Sequence, residues 1–168
     1  PWGDNIAPVF QTLQDTILII HSGEKSVSST AGHQLMEIHR YAAARYAVAR
    51  ENLLQLIGSM QDPSGMDAFM TICESEALQL HALMMSGINP FVLLKPNTLS
   101  VIDAVWRFRK EAALPVCFTL DAGPNVHLLY PVAHKEVILN WIERELRQYC
   151  DEGKYIEDRV GSGPTKLN

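Results

Sequence analysis

Apolar residues recur every three or four positions in four long stretches and cluster in shorter runs between polar, Gly- or Pro-bearing breaks. That pattern predicts a mixture of helices and strands. The first run, 16–21, is continuous and β-branched, which predicts a strand buried on both faces. A hydroxyl-rich loop over 22–32 follows and leads to a short helical segment over 33–39. Across 42–60, Tyr46, Ala49, Leu53, Ile57 and Met60 fall on one stripe of a helix that Gln61-Asp62-Pro63-Ser64-Gly65 ends. A helix over 66–85 offers Phe69, Ile72, Cys73, Leu78 and Leu80 for packing, with Glu74 and Glu76 in its middle third. After Pro90 and Pro96, Asn97 or Thr98 caps a helix to about 110, whose apolar face carries Leu99, Ile102, Val105 and Trp106. Strands over 116–120 and 126–130 flank a turn over 121–125. A helix over 134–149 buries Val137, Ile138, Trp141, Ile142 and Leu146, and 155–160 reads as a closing strand. This order predicts an α+β fold, a small and mostly antiparallel sheet with helices on one or both faces.

Composition narrows the class. The 168 residues fit one domain, or one large domain with an appendage. Hydrophobic content of 47% and charged content of 20% are those of an ordinary globular protein. A formal charge of -5, from 14 basic and 19 acidic side chains without basic clusters, argues against nucleic acid or an anionic membrane as the main partner. No apolar run approaches the roughly 18 residues of a membrane helix. Cys73, Cys117 and Cys150, odd in number and widely spaced, suit a reducing, cytoplasmic compartment. Pro1 stands where neither an initiator Met nor a signal peptide is seen, so a piece of a longer polypeptide is expected.

Two places carry candidate chemistry. Ser28, Ser29 and Thr30 precede a helix start near Gly32, with Lys25 close by. They read either as a plain N-cap or as donors that, with the first backbone N–H groups of the helix, hold a phosphate or carboxylate. Asp121 ends an apolar run before Ala122-Gly123-Pro124-Asn125. It reads either as the closing residue of an Asx-type turn or as a carboxylate held rigidly at the end of a buried strand, where it orients or deprotonates a substrate hydroxyl. Asn125 reaches the same pocket or supplies the turn. The six histidines form no metal-ligand spacing; His81 reads as a hydrogen-bonded core residue, and Arg107 and Arg109 as a solvated helix face. Cys117 reads as inert burial, and Met36, Met84 and Met85 as packing. No nucleotide-binding glycine loop occurs.

Together these residues resemble the diphosphomevalonate decarboxylase family of the GHMP small-molecule kinase superfamily. The resemblance rests on Glu24-Lys25 with Val27-Ser28-Ser29-Thr30-Ala31-Gly32, on His81 before Asn89-Pro90, on Phe118-Thr119-Leu120-Asp121-Ala122-Gly123-Pro124-Asn125, and on Val160-Gly161-Ser162-Gly163-Pro164. It implies a GHMP C-terminal, ferredoxin-like domain over 16–153, preceded by a linker over 1–15 and followed by a closing strand and tail over 154–168. It implies Asp121 facing the C3 hydroxyl of mevalonate 5-diphosphate, Ser29 on its phosphate chain with Ser28 and Thr30 as neighbours, and Asn125 supporting the pocket. It further implies ATP and Mg2+ held mainly by an amino-terminal half outside this chain, that half as a partner, and homodimerisation. On that reading the chain alone is inactive. The alternatives left open are a phosphomevalonate decarboxylase, a mevalonate kinase-like enzyme, and a non-catalytic domain that binds a phosphorylated metabolite.

Overall fold

A computed structural model describes residues 5–23 and 38–161. Its centre is an antiparallel sheet in the order β2-β3-β1-β4, formed by β1 (Leu13–Leu18), β2 (Cys117–Leu120), β3 (Val126–Pro131) and β4 (Tyr155–Arg159). The α+β architecture expected from the element order is the one found. Around the sheet lie α1 (Pro8–Gln11), α2 (Ala42–Gln61), α3 (Met66–Ser86), α4 (Pro96–Ala112) and α5 (Lys135–Trp141).

Period-two alternation gives the sheet two unlike faces. Register aligns Thr16 with Leu128 and Leu18 with Val126 across β1 and β3, and Phe118 with Leu128 and Leu120 with Val126 across β2 and β3. These side chains share one face and meet Val101, Ile102 and Val105 of α4 and Ile138, Trp141, Ile142 and Leu146 at and beyond α5. Thr16 and Tyr130 bring hydroxyls into this core and spend them on one another at 2.6 Å. On the other face Leu13 and Cys117 join Phe10, Phe69 and Met70 in a smaller cluster.

The expected strand over 16–21 lies three residues earlier and is buried on one face, with Ile17 and Ile19 only half-buried. Long-range pairing decides this, because Leu13 and Gln14 find Pro131 and Tyr130 opposite them. Of the expected 33–39 helix, 33–37 lie outside the described residues, and Ile38 to Arg40 form a turn. The helix from 134 keeps α geometry only to Trp141. A π turn over Ile142–Leu146 and a 3-10 turn over Arg147–Tyr149 follow, holding Ile142 and Leu146 in the core.

Two helices depart from the expected burial. In α4 the stripe Thr98, Val101, Ile102 and Val105 is buried, while Leu99 and Trp106 are exposed. In α2 the apolar stripe has few partners: Tyr46 and Leu53 are exposed, Leu54 is 71% exposed, and only Ala42 and Ser59 are buried. Val137 and Met85 are exposed as well. Leu56 and Met60 at the C-terminal end of α2 pack with Phe69 and Met70 of α3, and Arg45 and Asn52 both donate to the Glu76 carboxylate. Leu53→Ala and Leu54→Ala are therefore expected to change the unfolding free energy of this chain by less than about 0.5 kcal/mol, as measured by urea denaturation.

The sheet edge at β2 is covered by α3. Glu74, 7% exposed, accepts two bonds from Arg109, at 2.6 and 3.1 Å, and one from Trp106 Nε1 at 2.8 Å. It also accepts the edge amide of Phe118 at 3.4 Å. Arg109 is thus not on a solvated face: it spans Glu74 and the Val116 carbonyl. Arg107 remains exposed, 3.6 Å from Glu145.

Candidate functional site

The β2–β3 hairpin presents Asp121 at the strand end. Its carbonyl accepts the Gly123 amide at 2.8 Å and His81 Nε2 at 3.1 Å. A carbonyl only accepts, so His81 carries its proton on Nε2. His81 is buried on α3, as its sequence position suggested, and burial pushes its pKa down. The turn is anchored a second time where Thr98 Oγ1, at the start of α4, donates to the Pro124 carbonyl at 2.7 Å. Side chains from two helices thus fix the hairpin by its main-chain carbonyls. The Asp121 side chain is exposed, at the rim of the buried strand rather than within it.

Asn125 closes the other side. Its Oδ1 accepts the His21 amide at 3.1 Å, tying the turn to the segment that leads into the serine loop. Ser22 is bound in turn to Asp151 through its amide at 3.1 Å and through its hydroxyl. Between these elements lies a cavity of about 310 Å3 lined by His21, Ser22, Val92, Lys95, Gly123 and Asn125 among others. Asp121 is not part of its wall. Ser28, Ser29 and Thr30 lie outside the described residues. Of the expected site residues, Asp121 and Asn125 are therefore brought to one turn, four residues apart.

Three further residues escaped the sequence reading. Lys95 lines the cavity from the residue before α4. On the sheet face opposite the main core, His127 Nδ1 lies 3.1 and 3.0 Å from the two oxygens of Asp15. The Asp15 carboxylate raises the His127 pKa, with smaller help from Asp121 and against partial burial. No local signal joins Asp15 to His127, 112 residues apart; only the β1–β3 register does. The two histidines act oppositely on stability. The contribution of His127 is full below an ordinary imidazole pKa and lost as pH rises through its raised one. That of His81 is full above the ordinary value and lost as pH falls through its lowered one.

Cys117 is fully buried beside half-buried Cys73, and both that contact and burial push its thiol pKa well up, so it is inert as expected. Among the described residues no group of three or more His, Cys, Asp or Glu side chains is placed to hold a metal ion. None of their helices is long and apolar enough to cross a membrane.

Residues 16–165 match the family described as the mevalonate 5-diphosphate decarboxylase C-terminal domain. The chain is 36% identical over 62 residues to a phosphomevalonate decarboxylase of Haloferax volcanii, covering 37% of this chain and 19% of that relative. It is 25% identical over 129 residues to a diphosphomevalonate decarboxylase of Schizosaccharomyces pombe, covering 74% of this chain and 32% of that relative. A crystal structure of mevalonate diphosphate decarboxylase from Staphylococcus aureus superposes with a TM-score of 0.80 at 26% identity, covering 93% of this chain and 46% of that one. The chain thus spans less than half the length of each of these proteins.

Proposed function

Because the chain belongs to the mevalonate 5-diphosphate decarboxylase C-terminal domain family of the GHMP superfamily, we propose that it supplies the carboxylate side of an ATP-dependent decarboxylase of phosphorylated mevalonate. On this reading the full enzyme transfers the γ-phosphoryl group of ATP to the C3 hydroxyl of mevalonate 5-diphosphate. Loss of phosphate and CO2 then leaves isopentenyl diphosphate.

Asp121 orients the tertiary hydroxyl and accepts its proton. Phosphoryl transfer is governed largely by positioning and charge, so a carboxylate on a turn held by main-chain bonds suits the task. Ser29, with Ser28 and Thr30, holds the phosphate chain, and Asn125 keeps the serine segment and the Asp121 turn together through His21. The observation that supports this most is the double anchoring of that turn, at the Asp121 carbonyl and at the Pro124 carbonyl. ATP would supply the phosphoryl group and Mg2+ would screen its charge, both held by an ATP-binding half, since the described residues include no phosphate-binding glycine loop and no metal cluster.

The similarity to the Haloferax volcanii protein supports a second reading, in which the 5-monophosphate is the substrate. Product analysis on a polypeptide that contains this chain together with an ATP-binding half tests both. ATP-dependent CO2 release is expected from the 5-diphosphate and not from mevalonate. Release only from the 5-monophosphate selects the second reading, and release from none of the three overturns both. The chain by itself is expected to release no CO2.

Lys95 offers a sharper test. A cation on the cavity wall beside the turn interacts with a phosphate as a point charge. Lys95→Met is expected to raise KM for the phosphorylated substrate by about tenfold, the range of one charge-assisted hydrogen bond, with kcat little changed.

A further inference from the structure

On the sheet face opposite the main core, β3 places His127 directly across from Ile17 of β1 and from Thr119 of β2. Among the residues one side-chain step away are Asp15 on β1 and, just beyond the end of β2, Asp121, whose charge acts on the ring. His127 therefore stands between two carboxylates at opposite diagonals of the sheet. Asp15 is bound to it at Nδ1, 3.0 Å away, and Asp121 lies towards the turn. Asp15 and Asp121 are the acids whose charge acts on the ring; its direct cross-strand neighbours, Ile17 and Thr119, carry no charge, and from α3 the buried His81 meets the same turn at the Asp121 carbonyl. The imidazole is half-buried, so its charge is screened less than that of a surface side chain.

Resting on the reading of Asp121 as the reactive carboxylate, we infer that His127, clamped by Asp15, is a positioning residue that acts as the protonated counter-charge to Asp121. An anionic substrate crowds negative charge around that carboxylate. A fixed cation on the adjacent strand offsets the repulsion without occupying the substrate's place, and Asp15 holds the ring so that its charge remains on this face. The consequence is a pH dependence that belongs to His127: activity falls as pH rises through its pKa, which Asp15 places above the ordinary value.

The interaction is tested first without any catalysis. The His127 imidazole is followed by NMR titration in this chain, its resonance assigned by loss in His127→Gln. Asp15→Asn is expected to lower the titration midpoint most. Asp121→Asn is expected to lower it by about 0.3–0.7 pH unit, roughly two- to fivefold in proton affinity, as one more distant charge does near a protein surface. A midpoint unmoved by Asp121→Asn overturns the inference. The second measurement is the pH profile of kcat/KM in a catalytically complete polypeptide. His127→Lys, whose charge persists to higher pH, is expected to move the alkaline limb upward, and His127→Gln to lower activity at neutral pH and erase that limb. Equal losses in both variants at every pH indicate a structural role and overturn it. If the parent polypeptide shows no decarboxylation at all, the proposed function fails while the NMR result still decides whether His127 and Asp121 are coupled.

Discussion

Asp121→Asn, introduced into a polypeptide that also carries the ATP-binding half, is expected to lower ATP-dependent CO2 release by about 10²–10⁴-fold, the usual range for losing a positioned proton acceptor. The substitution keeps shape and hydrogen-bonding capacity and removes the charge and the basicity. The hairpin should survive, because its described anchors are main-chain groups: the Asp121 carbonyl held by Gly123 and His81, and the Pro124 carbonyl held by Thr98. The melting temperature is therefore expected to move by less than about 2 °C, and KM for the phosphorylated substrate by less than about threefold, since this side chain is assigned to the reacting hydroxyl and not to the phosphates. The turn-cap reading of the same residue makes the opposite prediction, a stability loss with catalysis retained. Circular dichroism melts beside single-turnover kinetics separate the two.

Glu74→Ala is expected to destabilise the chain by about 3–5 kcal/mol, the cost of removing one partner from a buried charge pair. The carboxylate accepts from Arg109, Trp106 and the Phe118 amide, so its removal orphans donors on α4 and on the edge strand together. Arg109 is partly shielded, and Glu74 is the leading reason that its guanidinium pKa is raised. Water can rescue part of this loss at the exposed end of Arg109 but not at the strand amide. Lys135→Ala is the control: its pair with Glu157 is exposed on both sides, and about 0.5 kcal/mol or less is expected. Urea unfolding of both variants by fluorescence and far-UV circular dichroism measures the contrast. A loss below about 1 kcal/mol for Glu74→Ala would mean that α3 covers the sheet edge through its apolar contacts alone.

The two predictions differ in how readable their residues are from sequence. Asp121 stands out because a carboxylate beside Gly123 and Pro124 at the end of an apolar run is a local anomaly. Glu74 looks like any acid in the middle of an amphipathic helix, and Arg109 like any basic residue near a helix end. Only the docking of α3 along β2 brings them together. The same holds for apolar stripes. In α3 the expected Phe69 and Ile72 are buried, whereas in α2 the equally regular Tyr46 and Leu53 face outwards. Periodicity reports that a helix has an apolar side; it does not report whether another element comes to cover it. In α4 the expected Ile102 and Val105 are buried, but Val101 takes the inward place expected of Leu99 and Trp106, and the facing sheet decides it.

The order of the long helices and of the four strands, the hairpin over the Asp121 turn and the family resemblance were settled by sequence alone. They depend on periodicity, turn chemistry and short motifs, each contained within a few neighbouring residues. The register of β1 and the one-faced burial of that strand belong to tertiary structure. So do the pairing of His127 with Asp15, the role of Glu74 at the sheet edge, and the cavity that Lys95 shares with Asn125. Each of these joins residues far apart in the chain, and their energies exist only once long-range strand pairing and helix docking have fixed which side chains meet.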